Sequence, residues 1–179
     1  NDSQAAASYL KKAQSIDRHC VRSYLLQANT AFDAHDYTTS IQIYRRVVEE
    51  DPTYITEIID QLKTCYEKLG KMTELTVYLQ EIFSETPFVD VAECLAKCLH
   101  QQHGLQTAID FRENYVASYG SLWALNPLIE SYAKTASIPD AQKLLKLERH
   151  LKHLLSDQAI YRCLQCGFSG TTLHWLCPS

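Results

Sequence analysis

Glycine and proline are both scarce, five of each in 179 residues. A chain with so few breakers, whose apolar residues recur at helical spacing over most of its length, reads as all-α. No apolar run approaches the roughly 18 to 20 residues that cross a bilayer as a helix, and no signal peptide opens the chain. No lysine-arginine block is long enough to track a phosphate backbone, and the net charge is −4 with both signs interspersed, so nucleic acid is excluded as a partner. No glycine-rich phosphate loop, nucleophile elbow or His-Glu-x-x-His is present, and the carboxylates build no evident acid–base pair, which argues against an enzyme. An apolar content of 46% rules out wholesale disorder.

Cysteine is present in an odd number, seven. Four of the seven sit inside helical patterns and three crowd the C-terminus, a distribution that fits a reducing, cytoplasm-like compartment better than a secreted disulfide framework.

Self-similarity comes next. Pro52 and Pro87 lie 35 residues apart, each after a helix-long amphipathic stretch. That is the interval of a two-helix tetratricopeptide unit. Counting back from Pro52 puts Tyr24, Ala28 and Ala31 on a first helix and Ser40, Tyr44 and Val47 on a second. From Pro87 the same count gives Ile59, Leu62 and Tyr66, then Leu75, Leu79 and Ile82. Gly70 and Lys71 form the turn between them. Looser matches follow, with Gly104 and Gly120 as punctuation and Pro127 expected in or near the first turn of its helix. The expected organisation is an all-α tetratricopeptide-repeat α-solenoid, a right-handed superhelix. It has a half repeat over 1–20, repeats over about 21–55, 56–88, 89–120 and 121–155, and a small module over 156–179. The concave face of such an array is expected to carry Arg22, Leu25, Asn29, Phe32 and Asp33 from one first helix and Glu57, Asp60, Thr64, Glu67 and Lys68 from the next. Mixed charge with an aromatic suits a peptide or protein partner, although solvated helix surface explains the same residues.

The terminal module rests on Tyr161-Arg162-Cys163-Leu164-Gln165-Cys166-Gly167-Phe168, answered by Cys177-Pro178-Ser179. Two thiolates three residues apart on a tight turn grip one soft or borderline ion, and Gly167 permits the positive φ that turns backbone amides toward sulfur. The expected ligands are Cys163, Cys166 and Cys177. A fourth is expected just after Ser179, so the chain reads as a fragment that also opens in the middle of a helix. Zinc is favoured and iron is possible. A thioredoxin-like redox pair, or cysteines packed as small hydrophobes, are the alternatives.

Two further features carry open readings. Cys94 and Cys98 share a helix with His100 and His103, which suggests either a second metal site or, more simply, buried core thiols. The last helix sets Lys143, Lys146, Arg149 and Lys152 opposite a leucine face of Leu144, Leu147, Leu151, Leu154 and Leu155. That is either a solvated strip or one facing an acidic partner or anionic head groups.

Tetratricopeptide units followed by Tyr161 to Phe168, and then by Leu173-His174-Trp175-Leu176-Cys177-Pro178-Ser179, resemble the lipopolysaccharide assembly protein B (YciM) family of Gram-negative bacteria. The stretch Leu62 to Lys71 resembles that family's helix and turn. The resemblance implies a protein held at the inner membrane by one N-terminal anchor, with its array and rubredoxin-like module on the cytoplasmic face. It also implies a non-enzymatic adaptor that brings the lipid A pathway deacetylase to the membrane AAA protease FtsH, restrained by an inner-membrane sulfatase-like regulator. Two rivals predict different chemistry. An iron-binding, rubredoxin-like electron-transfer or redox-sensing protein would cycle its metal, and a generic tetratricopeptide co-chaperone would carry a basic carboxylate clamp.

Overall fold

The computed structural model describes residues 8–10, 12, 13, 15–156, 159 and 161–170. The chain forms two compact units, one up to Arg112 and the other from Glu113 onward. After helical residues between 8 and 16 come α1 (Val21–Asp33), α2 (Tyr37–Glu50), a 3-10 turn (Pro52–Tyr54), α3 (Ile55–Lys68), α4 (Met72–Glu85), α5 (Val89–His103), α6 (Leu105–Tyr119), α7 (Leu122–Thr135) and α8 (Ile138–Ser156). Two short strands follow, β1 (Tyr161–Arg162) and β2 (Ser169–Gly170). All-α is the class the spacing predicts.

The helix ends are set by local chemistry. α1 stops where His35 takes a φ of 60°, so that the Asp36 amide reaches back to the Ala31 carbonyl at 2.9 Å. Gly70, at φ 69°, closes α3 in the same way, with the Lys71 amide on the Tyr66 carbonyl at 2.9 Å. Asp36 then caps α2, accepting the Thr39 amide at 3.1 Å. At the far end of α2 the chain turns extended at Asp51, and Pro52 prevents further winding.

Hydrogen bonds from Thr39 hold the Asp36 carboxyl below the usual carboxylate range. A depressed native pKa adds stability that is present above the unfolded pKa, about 4, and is lost as pH falls through the native one. Asp36→Asn keeps an acceptor at the cap and removes that titration. The variant is expected to show a shallower loss of stability on acidification below about pH 4, measured by urea unfolding at each pH; an unaltered acid limb would count against the cap.

The core of the first unit runs through α1 to α5 and contains most of the positions that the repeat interval singles out. Ala28, Tyr44, Val47, Leu62, Leu75 and Leu79 are all buried. Ala28 and Ser40 let α1 and α2 approach closely enough for the Ser40 hydroxyl to donate to the Ala28 carbonyl at 3.1 Å. Tyr44 fills the adjoining space and donates to Asn29 Oδ1 at 2.7 Å, and burial pushes its phenol up to about 12. Farther along, Phe83 and Phe111 meet at 5.4 Å between ring centres. Beside them the Arg112 guanidinium makes a forked contact with Glu93, Nε to Oε2 at 2.9 Å and Nη2 to Oε1 at 2.7 Å.

In the second unit α7 packs on α8, burying Ala124, Leu128, Ser131 and Leu155. Two expectations change here. Pro127 is not in the first turn but is the sixth residue of α7, inside the helix, where an ordinary residue would donate to the Trp123 carbonyl. The leucine face of α8 is only partly covered: Leu155 is buried and Leu144 and Leu151 are half-buried, whereas Leu147 is 54% and Leu154 69% exposed. These five leucines span about 100° of helix circumference, which is wider than the seam one neighbouring helix covers.

Candidate functional site

The cysteine turn is built almost wholly from backbone. β1 and β2 pair antiparallel, Tyr161 with Gly170 and Arg162 with Ser169. The ladder continues one step, the Cys163 amide donating to the Phe168 carbonyl at 2.7 Å. Gly167 adopts φ 77°, a conformation that costs a residue with a side chain about 1–2 kcal/mol. There its amide reaches the Cys163 carbonyl at 3.0 Å, and the Phe168 amide points at Cys166 Sγ at 3.4 Å. An amide donated to sulfur favours the thiolate, the form that binds metal. Cys163 is half-buried and Cys166 exposed, and Leu164 between them is fully exposed. The donor set and the amide-to-sulfur bond fit a zinc or iron ion held by Cys163 and Cys166. Cys177, the third expected ligand, lies outside the described residues, as do His174 and Trp175.

The expected groove residues separate. Arg22, Asp33, Glu57, Asp60, Glu67 and Lys68 are exposed along α1 and α3. Asn29, Phe32 and Thr64 are half-buried: Asn29 holds the Tyr44 hydroxyl, Phe32 meets Tyr37 edge-on at 6.0 Å, and the Thr64 hydroxyl donates to the Asp60 carbonyl at 2.8 Å. Leu25 is a correction. At 8% exposed it belongs to the core, in the same buried cluster as Ala28. Glu67 pairs with Lys63 on its own helix at 3.1 Å.

On α8, Lys143, Lys146, Arg149 and Lys152 are all exposed. Lys143 pairs with Asp140 at 3.0 Å and Lys152 with the buried Glu148; Arg149 Nε donates to the Leu145 carbonyl at 3.4 Å, and among the described residues no ion pair engages Lys146 or Arg149. Cys94 and Cys98 are buried in the core while His100 and His103 are exposed, so the structure does not bring them together as a ligand set. Cys94 hydrogen-bonds to Cys98, which raises the Cys94 thiol above its ordinary value and lowers that of Cys98.

Sequence reasoning missed a cleft on the second helices of the first two repeats. Arg45 of α2 lies over the Tyr78 ring of α4, 4.6 Å from its centre. Two adjoining hollows of about 240 and 310 Å³ share Arg45, Tyr78 and Glu81, one reaching Glu85 and the other the exposed Val77. The available signal was Arg45 and Tyr78 spaced at nearly one repeat interval, with carboxylates one turn along at Glu49 and Glu81 and two turns along at Glu85.

No family model matches the chain. It aligns along its whole length with lipopolysaccharide assembly protein B of Escherichia coli (strain K12), 25% identical over 180 residues and covering 46% of that protein. With the protein of the same name from Haemophilus influenzae it is 28% identical over 173 residues, covering 96% of the chain and 44% of the relative. The chain thus spans about half the length of the curated relatives it matches. Among solved structures, a MamA double mutant (RS-1 ArsTM) superposes with a TM-score of 0.56 at 11% identity, covering 87% of this chain and 88% of that one. A second MamA structure gives 0.51 at 17% identity, covering 85% of each. These superpositions show the fold, an all-α tetratricopeptide-like array, and nothing of function. No helix among the described residues is long and apolar enough to cross a membrane.

Proposed function

We propose that this chain, which aligns from end to end with about half of lipopolysaccharide assembly protein B, serves lipopolysaccharide assembly as a non-enzymatic adaptor. The observation that carries the reading is the alignment over the entire chain, including the cysteine turn in which the Phe168 amide faces the Cys166 sulfur. Exposed first-helix residues such as Arg22, Asp33, Glu57 and Asp60 supply a mixed-charge surface suited to protein partners. The adaptor presents the lipid A pathway deacetylase to the membrane protease FtsH, and an inner-membrane sulfatase-like regulator opposes it. An N-terminal membrane anchor in the longer protein would hold the array at the inner membrane, on its cytoplasmic side. Holding two proteins on one scaffold raises their effective concentration for each other, and the adaptor itself breaks no bond. Bound zinc or iron would supply a structural clamp between Cys163, Cys166 and Cys177. These residues, in turn, bind the ion and keep the strands in register.

The test is the lifetime of the deacetylase in a Gram-negative cell deprived of its own assembly protein B. Supplying the longer protein that contains this chain is expected to shorten that half-life several-fold and to co-purify both deacetylase and FtsH. An unchanged half-life with neither protein captured overturns the proposal, as does turnover of a substrate by the purified chain alone.

A further inference from the structure

We infer that Cys94 and Cys98 form a metal site apart from the cysteine turn, one that takes a single soft monovalent ion, copper(I), in line between two sulfurs. The two thiols stand one turn apart on α5, are 6% and 1% exposed, and hydrogen-bond to each other. Residues four apart on a helix hold their Cβ atoms about 5–6 Å from one another. A disulfide needs about 3.5–4.5 Å, so the pair is too widely spaced for one unless α5 distorts. Two sulfur-to-metal bonds of about 2.3 Å laid end to end span about 4.6 Å. An ion between the sulfurs therefore leaves the helix as it is.

The surroundings select which ion fits. Among the described residues no group of three or more His, Cys, Asp or Glu is placed to hold a metal. Both thiols belong to the apolar core of the first unit. Zinc, which asks for four ligands, finds two here, whereas thiolate pairs favour copper(I). Binding breaks both S–H bonds, forms two S–Cu bonds and releases two protons, so the S–Cu–S unit carries one negative charge. A buried charge needs a counter-charge. Lys63 of α3 supplies it, since its ammonium acts on both sulfurs, and Lys97 acts on Cys94 as well. Against Cys98 stands the Thr76 hydroxyl of α4, which accepts from Gln102 Nε2 at 2.8 Å. The Lys63 side chain is 26% exposed and is held by Glu67 at 3.1 Å, a surface pair weak enough to open and let an ion reach the sulfurs. Cys65, buried on α3, shares its helix with no second cysteine and has none of this.

The test takes the full chain with serine at Cys163, Cys166 and Cys177, reduced and kept free of oxygen, and titrates it with copper(I) supplied as its bicinchoninate complex. The chain is expected to withdraw one ion per molecule from the coloured complex, and X-ray absorption of the product to show two sulfur neighbours. Cys94→Ala and Cys98→Ala are each expected to weaken uptake by more than the roughly 100-fold that losing a supporting contact costs a metal site. Cys65→Ala, which removes a thiol from the same core, is expected to keep both the uptake and the helical circular dichroism. Zinc offered to the same chain is expected to stay in solution. No uptake, uptake that survives the loss of Cys94 or Cys98, a Cys65→Ala chain that loses it as well, tight zinc binding, or three sulfur neighbours around copper overturns the inference.

Discussion

Serine at both Cys163 and Cys166 is expected to abolish metal uptake while leaving the unfolding of the first unit where it was. The turn is held by backbone hydrogen bonds that serine does not disturb, Cys163 N–H to Phe168 at 2.7 Å and Gly167 N–H to Cys163 at 3.0 Å. What serine removes is sulfur. Its hydroxyl does not ionise near neutral pH, so the Phe168 amide has no thiolate to stabilise and the soft donors are gone. Titration with cobalt(II) reads this directly, because sulfur-to-metal charge-transfer absorption appears only when thiolates bind. The unaltered chain is expected to take up one ion and the double variant none. Undiminished uptake by the variant would remove the site. The metal that co-purifies separates two chemistries: colourless zinc accords with a clamp, and a reversible iron spectrum accords with electron transfer.

Replacing Glu93 by Met while Arg112 stays is expected to cost about 3–5 kcal/mol, read as a lowered urea midpoint. Arg112 is 8% exposed, and the fork from its Nε and Nη2 to the two Glu93 oxygens is what compensates its buried charge. Without the carboxylate, the guanidinium loses both hydrogen bonds of the fork at a position that water reaches poorly. Lys97, 3.8 Å from Glu93 and largely exposed, loses little. Replacing both residues, Glu93→Met with Arg112→Leu, is expected to recover most of the loss, since two apolar groups of similar volume leave no orphan charge. A double variant as unstable as the single one would mean that packing, not charge, is what α6 requires.

These two sites differ in how far they could be read from sequence. The cysteine turn was legible because its parts lie within ten residues and its requirements are local: two thiols at one spacing and a glycine where φ is positive. The helix pairs were legible for a related reason, since Ala28, Tyr44, Leu62 and Leu79 recur at an interval that only stacking explains. Glu93 and Arg112 gave no such signal. They are 19 residues apart on different helices, and whether one cation meets one anion depends on how those helices are rotated, which no periodicity records. Leu25 and Leu147 show the same limit from opposite directions. Both look like members of an amphipathic face, but burial depends on whether a neighbour arrives. Leu25 is covered to 8% exposure, and Leu147 stays 54% exposed. Pro127 was misplaced because the start of α7 is set by the Ser121 cap, a difference of a few residues that decides whether the missing N–H matters.

The left-handed residues His35, Gly70 and Gly104 stand 35 and 34 positions apart, each between the two helices of a pair. A chain that reverses direction at a positive-φ residue at such an even beat can gain or lose a whole beat and still splice bend to bend. An insertion of half that length would instead leave a helix with no mate. Lineages carrying this architecture are thus free to lengthen or shorten by complete modules, and the reach of the scaffold can evolve without its joints being reinvented.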